Sequence, residues 1–141
     1  MNRQNIDFEG LVNCRDLGGL TLENSGVTRN GVFFRSETPQ LMTEADLKRA
    51  RNEFGIGRVV DLRGKKFLGK DLLDGSGPLG DDGRGVRMDF FELAGGIENI
   101  DPSPDGFLRH LLNGGEKPLE VFLEHFVNTD KAVLVHCHTG K

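Results

Sequence analysis

Ala132 Val133 Leu134 Val135 is an unbroken apolar run, and His136 Cys137 His138 Thr139 Gly140 Lys141 follows it directly. The run reads as a buried strand, and the glycine-bearing residues after it as a loop leaving the strand's carboxyl end. Ligand sites of open α/β sheets lie beyond the carboxyl ends of their strands, and Cys137 falls there. The fold class then depends on whether the rest of the chain supplies strands and helices to flank this one.

Upstream it does. Pro118 suits a first helical turn, and Leu119, Phe122, Leu123, Phe126 and Val127 recur at helical spacing, one wide apolar face that needs a sheet to cover. Arg58 Val59 Val60 Asp61 Leu62 Arg63 reads as a buried strand with a charged pair at its C-terminal end. Before it, Thr43 to Phe54 reads as a helix. Thr43 caps it, Glu44 and Asp46 sit at its positive end, Leu47, Ala50 and Phe54 make a buried stripe, and Gly55 stops it. Val32 Phe33 Phe34 Arg35, after the Asn30 Gly31 turn, is a short strand. Strand, helix, strand is the βαβ pattern, so the expectation is an α/β fold.

Other stretches are less regular. Asn13 Cys14 Arg15 Asp16 Leu17 Gly18 Gly19 reads as a turn in which a charged side chain is held against backbone. Seven glycines and Pro78 lie between Gly64 and Gly85, which predicts a long loop or weakly ordered segment. Val86 to Phe91 is a candidate strand, and Asp101 to Asp105 breaks the chain before a short helix near Phe107 to Asn113. There is no internal repeat, heptad pattern or low-complexity tract.

The chain has 141 residues, 36% hydrophobic and 28% charged, which fits one globular domain. A net charge of −4 gives no basic footprint for nucleic acid or an anionic membrane surface. The polar start Met1 Asn2 Arg3 Gln4 Asn5 lacks the apolar region of a signal peptide, and no stretch is long enough to span a bilayer, so a cytoplasmic location is expected. Two cysteines, Cys14 and Cys137, are too few for a disulfide framework and fit reduced thiols.

A thiol attacks as the thiolate, and its pKa of about 8.5 must be lowered by amide N–H groups, a helix N-terminus or nearby cations. Thr139 and Gly140 permit a tight loop whose amides converge on an anion, Lys141 adds positive charge, and His136 is placed to brace the loop by hydrogen bonding. Three consecutive residues on extended chain point to opposite sides, so His136, Cys137 and His138 make a poor metal site, and no second ligand cluster with zinc spacing accompanies them. Arg15 with Asp16, and Asp61 with Arg63, read equally as structural ion pairs near the site or as direct contacts. Cys14 reads as an inert core thiol, with a protective disulfide to Cys137 as the alternative.

These residues carry a resemblance. Asn13, Arg15, Asp16, Leu17, Gly18 and Gly19, then Arg35 and Ser36, then Asp61, Leu62 and Arg63, and finally His136, Cys137, Gly140 and Lys141 match in order the motifs of the cysteine-dependent protein-tyrosine phosphatases. The chain resembles their bacterial tyrosine/serine, dual-specificity-like branch. The resemblance implies a central, mainly parallel sheet flanked by helices, and a phosphoric monoester hydrolase working through a phosphocysteine on Cys137. It implies phosphate binding by His138, Thr139, Gly140 and Lys141, with His136, Arg15, Asp16, Asp61 and Arg63 in support. Asp89 and Glu92 remain as candidates for an acid or for positioning, and no metal or other cofactor is required. The implied substrate is a phosphorylated protein or a phosphoinositide, with phosphotyrosine, phosphoserine/threonine and inositide phosphates all open.

Two departures stand out: Cys14 replaces a common aromatic, and Lys65, Lys66 and Phe67 stand where an acidic residue is common. The resemblance also places the phosphate-binding arginine, an aspartate and a covering helix beyond Lys141. The expectation is therefore a single phosphatase-like domain, 1–141, truncated at its C-terminal end and inactive as it stands. The alternatives are a non-catalytic fragment or pseudophosphatase that binds phosphorylated partners and, more distantly, a sulfurtransferase of the rhodanese type.

Overall fold

The computed structural model describes residues 4–23, 25–63, 77–80, 85–88, 103, 105–106, 109, 113 and 116–140. Its strands are β1 (Gln4–Asn5), β2 (Arg15–Asp16), β3 (Phe33–Ser36), β4 (Ile56–Asp61), β5 (Gly85–Arg87) and β6 (Ala132–His136). Helices α1 (Glu44–Asn52) and α2 (Glu116–Val127) pack against them. Strand order is β1-β2-β3-β6-β4-β5. β3, β6, β4 and β5 run parallel, and β1 and β2 add an antiparallel edge. The fold is α/β with a mostly parallel sheet, and the run Ala132 to Val135 is the core of its central strand.

The two faces of the sheet follow from alternation along the strands. Phe34, Leu134 and Val59 share a register row and bury against Leu47 and Ala50 of α1, with Leu11, Cys14, Met42 and Leu79 closing that core. Phe33, Val133 and Val135 alternate to the opposite face, where Val121, Phe122 and Phe126 of α2 cover them together with Val60 and Met88. Ring centroids of Phe33 and Phe126 lie 4.9 Å apart at 89°, the edge-to-face geometry aromatic pairs prefer.

Helix α1 forms where the caps require. The Thr43 side chain accepts from the Asp46 N–H while the Asp46 carboxylate accepts from the Thr43 N–H, a reciprocal capping box. Asp46 also accepts from the amides of Glu9 at 2.9 Å and Gly10 at 2.7 Å, which ties the N-terminal segment to the helix. Gly55 ends the helix at φ +65, a conformation costly for any side chain.

Three readings change. Arg15 and Asp16, expected in a turn, form strand β2, because pairing with β3 satisfies their backbone; the turn begins after them. The apolar face of α2 is narrower than its spacing predicts. Phe122, Phe126 and Val121 reach the sheet, whereas Leu119, Leu123 and Val127 are 54%, 49% and 81% exposed. The aromatic pair one turn apart docks on Phe33 and rotates the leucine stripe off the sheet. The candidate strand from Val86 is observed over Gly85–Arg87 with Met88 buried, and its continuation lies outside the described residues. So do most of the glycine-rich segment from Gly64 and most of the expected helix near Phe107 to Asn113. Among the described residues no helix is long and apolar enough to cross a membrane.

Candidate active site

Strands β3, β6 and β4 end in one row, with Ser36 opposite His136 and His136 opposite Asp61. Cys137 is the first residue past that row, so sheet register delivers the thiol to the carboxyl edge. Cys137 is half-buried, His138 and Thr139 are exposed, and Gly140 is buried. Gly140 has φ +75, and a Cβ there would lie 2.6 Å from the Glu37 nitrogen and 2.7 Å from the Ser36 carbonyl carbon. Only glycine lets the loop lie this close to the end of β3.

The sulfur has a cation against it. Arg35 Nη2 donates to Cys137 Sγ at 2.6 Å, and the same guanidinium donates through Nη1 to the Ser36 carbonyl. Burial pushes the Cys137 thiol up, but the Arg35 hydrogen bond and charge and the Gly140 and Thr139 amides outweigh it and hold the thiol below its ordinary range. A half-exposed thiol against a guanidinium and loop amides has the surroundings in which reactive cysteines are found. Cys14 is its opposite: 2% exposed, with burial pushing it to about 12. Both are free thiols, so the disulfide weighed for the pair is not formed.

The loop is braced from behind. Asn13 Nδ2 donates to the Thr139 carbonyl at 3.0 Å, and Arg15 Nη2 donates to the Gly140 carbonyl at 2.8 Å. Arg15 Nη1 also donates to the Asn13 backbone and side-chain oxygens, both at 3.0 Å. The Asp16 carboxylate accepts from the Gly18 and Gly31 amides at 2.8 and 2.7 Å, holding two turns together.

Under the strand ends lies a polar knot. Asp61 accepts from Arg63 Nε at 2.8 Å and Nη2 at 2.7 Å, a two-pronged pair with both side chains buried. Burial raises the Asp61 carboxyl, and the Arg63 hydrogen bonds more than offset it, so the carboxylate stays ionised. His136 is fully buried, and that burial lowers its pKa to about 4 against the pull of Asp61. Its Nε2, 3.8 Å from Asp61, therefore makes a polar contact with a neutral ring at pH 7 rather than an ion pair. The other nitrogen, Nδ1, lies 3.2 Å from the Cys137 carbonyl, which fits a brace at the base of the loop.

The structure thus brings Cys137, Thr139, Gly140, His136, Arg15, Asp61 and Arg63 to one sheet edge, with His138 at the loop surface. Asp89, Glu92 and Lys141 lie outside the described residues. Sequence reading gives no role to Arg35, which touches the sulfur, or to Asn13, which holds the loop beside Arg15. The available signal for Arg35 was a charge at the end of an otherwise apolar strand. Among the described residues no group of three or more His, Cys, Asp or Glu side chains gathers to hold a metal ion.

The model of the tyrosine phosphatase family matches residues 6–141. A Cupriavidus necator protein named "putative tyrosine-protein phosphatase" is 39% identical over 61 residues, which are 43% of this chain and 22% of that relative.

Proposed function

The chain belongs to the tyrosine phosphatase family, and from that premise we propose that Cys137 is the nucleophile of a phosphoric monoester hydrolase working through a phosphocysteine. One observation carries the reading: a thiol at the carboxyl end of the central strand, held below its ordinary pKa by Arg35 and by loop amides.

In the first step the Cys137 thiolate attacks phosphorus. The S–P bond forms as the P–O bond to the leaving group breaks, and the leaving oxygen takes a proton from an acid. Water then attacks phosphorus and gives its proton to the conjugate base of that acid, the S–P bond breaks, and phosphate leaves as the thiolate and the acid are restored. The loop amides and the Arg35 guanidinium are fixed donors, so they stabilise charge on the phosphoryl oxygens without reorganising during the reaction. Asp89 and Glu92 are candidates for the acid from the sequence alone. Phosphotyrosine is the substrate class we favour from the family. Phosphoserine, phosphothreonine and phosphoinositides are the alternatives that substrate profiling would separate.

The test is turnover of a generic aryl phosphate by this chain and by the chain extended past Lys141 with the family's Asp-Arg-Thr-Gly. Release of the phenol by the extended chain, lost on Cys137→Ser, is the expected result. Turnover that survives Cys137→Ser overturns the reading.

A further inference from the structure

Two features of the Asn13 to Arg15 segment ask for an explanation that fold alone does not supply. Asn13 holds φ +56, a left-handed conformation that asparagine tolerates better than most residues but that still costs energy. Arg15 and Arg35 are register partners on adjacent antiparallel strands, and like charges directly opposite one another destabilise a sheet. Both features have one outcome in common. Asn13 and Arg15 reach the loop after Cys137, while Arg35 reaches the sulfur itself.

We propose that Asn13 and Arg15 are positioning residues for the thiolate loop, clamping the Thr139 and Gly140 carbonyls so that the loop amides stay aimed at Cys137 Sγ. The reasoning rests on the planarity of the peptide group. In a trans peptide the C=O of one residue and the N–H of the next point in opposite directions. Anchoring the Thr139 carbonyl to Asn13 on the outer side therefore turns the Gly140 N–H inward, and this amide is one of those that lower the Cys137 thiol. Arg15 fixes the carbonyl one residue on, and its second nitrogen holds the Asn13 backbone and side-chain oxygens, so the two residues act as one bracket. The bracket is tight. A Cβ on Gly140 would lie 3.0 Å from Asn13 Nδ2, leaving little room for the loop to tilt.

The left-handed backbone at Asn13 fits this role. It presents the backbone carbonyl and the side-chain oxygen of Asn13 to the same Arg15 nitrogen while the side-chain amide faces Thr139. A residue serving only to turn the chain would not need that convergence. The clamp is a property of the thiolate loop and builds on the reading of Cys137 as nucleophile, yet it can be tested without phosphate chemistry.

The readout is the pH dependence of iodoacetamide alkylation at Cys137, followed by peptide mass spectrometry, with buried Cys14 as an internal reference. Asn13→Gly accepts the same φ and leaves the charge unchanged, so its fold should be kept while the amide donor is lost. Its alkylation midpoint is expected to rise by roughly half a pH unit or more, with a melting temperature close to that of the parent. Arg15→Lys keeps the charge and loses the fork, and it should move the midpoint the same way. A wild-type midpoint in folded Asn13→Gly overturns the proposal. If Asn13→Gly melts early, a wild-type midpoint in folded Arg15→Lys does so instead. Failure of the phosphatase reading would appear separately, as absent turnover by the extended chain with the alkylation shifts intact.

Discussion

Cys137 lies between opposing influences, and Arg35 decides which prevails. Burial disfavours the thiolate, while a guanidinium nitrogen at 2.6 Å and the loop amides favour it. Arg35→Met removes the hydrogen bond and the charge while keeping much of the side-chain volume on the sheet. The Cys137 alkylation midpoint is expected to rise by about one pH unit, measured as for the Asn13 variant. An unchanged midpoint would mean that the amides alone set the thiol. Arg35 and Ser36 were legible as a motif, but their role was not, because a strand residue's reach depends on which strand lies beside it. Here β6 lies beside β3, and Arg35 pairs with Val135, two residues before the cysteine.

At the scale of elements, helix α1 was readable almost to the residue. Its caps, stripe and stop are local chemistry: Thr43, Asp46, Leu47, Ala50 and Gly55 each act within a turn or two. What the sequence did not reveal is that Asp46 serves two elements, capping α1 and accepting from Glu9 and Gly10. Asp46→Ala therefore strands two further amides besides the cap. We expect a loss of about 2 kcal/mol, from the usual worth of a cap plus hydrogen bonds to a charged group, seen as a lower melting temperature. A loss no larger than a few tenths of that figure would assign Asp46 to the helix cap at most. Helix α2 shows the limit of periodicity. Leu119, Leu123 and Val127 share helical spacing with Phe122 and Phe126, and the partner surface, Phe33 on β3, selected the aromatic pair.

For the whole molecule, the buried knot of His136, Asp61 and Arg63 links stability to pH. His136 titrates near 4 in the fold against an ordinary 6.5, so between those values the unfolded chain binds the extra proton. Stability is unaffected by this group above the upper value, falls as pH drops through the window, and stays reduced below it. Asp61 and Asp46, both held below the ordinary carboxylate range, add to the loss at still lower pH. Thermal melts should fall between neutral pH and pH about 4, by up to roughly 3 kcal/mol for His136 alone, and His136→Asn should flatten that part of the profile. Equal slopes for parent and variant would remove His136 from the acid response. The central strand, the cysteine loop at its end, helix α1 and the α/β class are legible along the chain, because each is written in residues close together. That Arg35 meets the sulfur, that Asn13 and Arg15 hold the loop, and that Asp16 braces two turns emerges on folding. Those contacts depend on the register of β2, β3 and β6, where a slip of one residue would send every side chain to the opposite face.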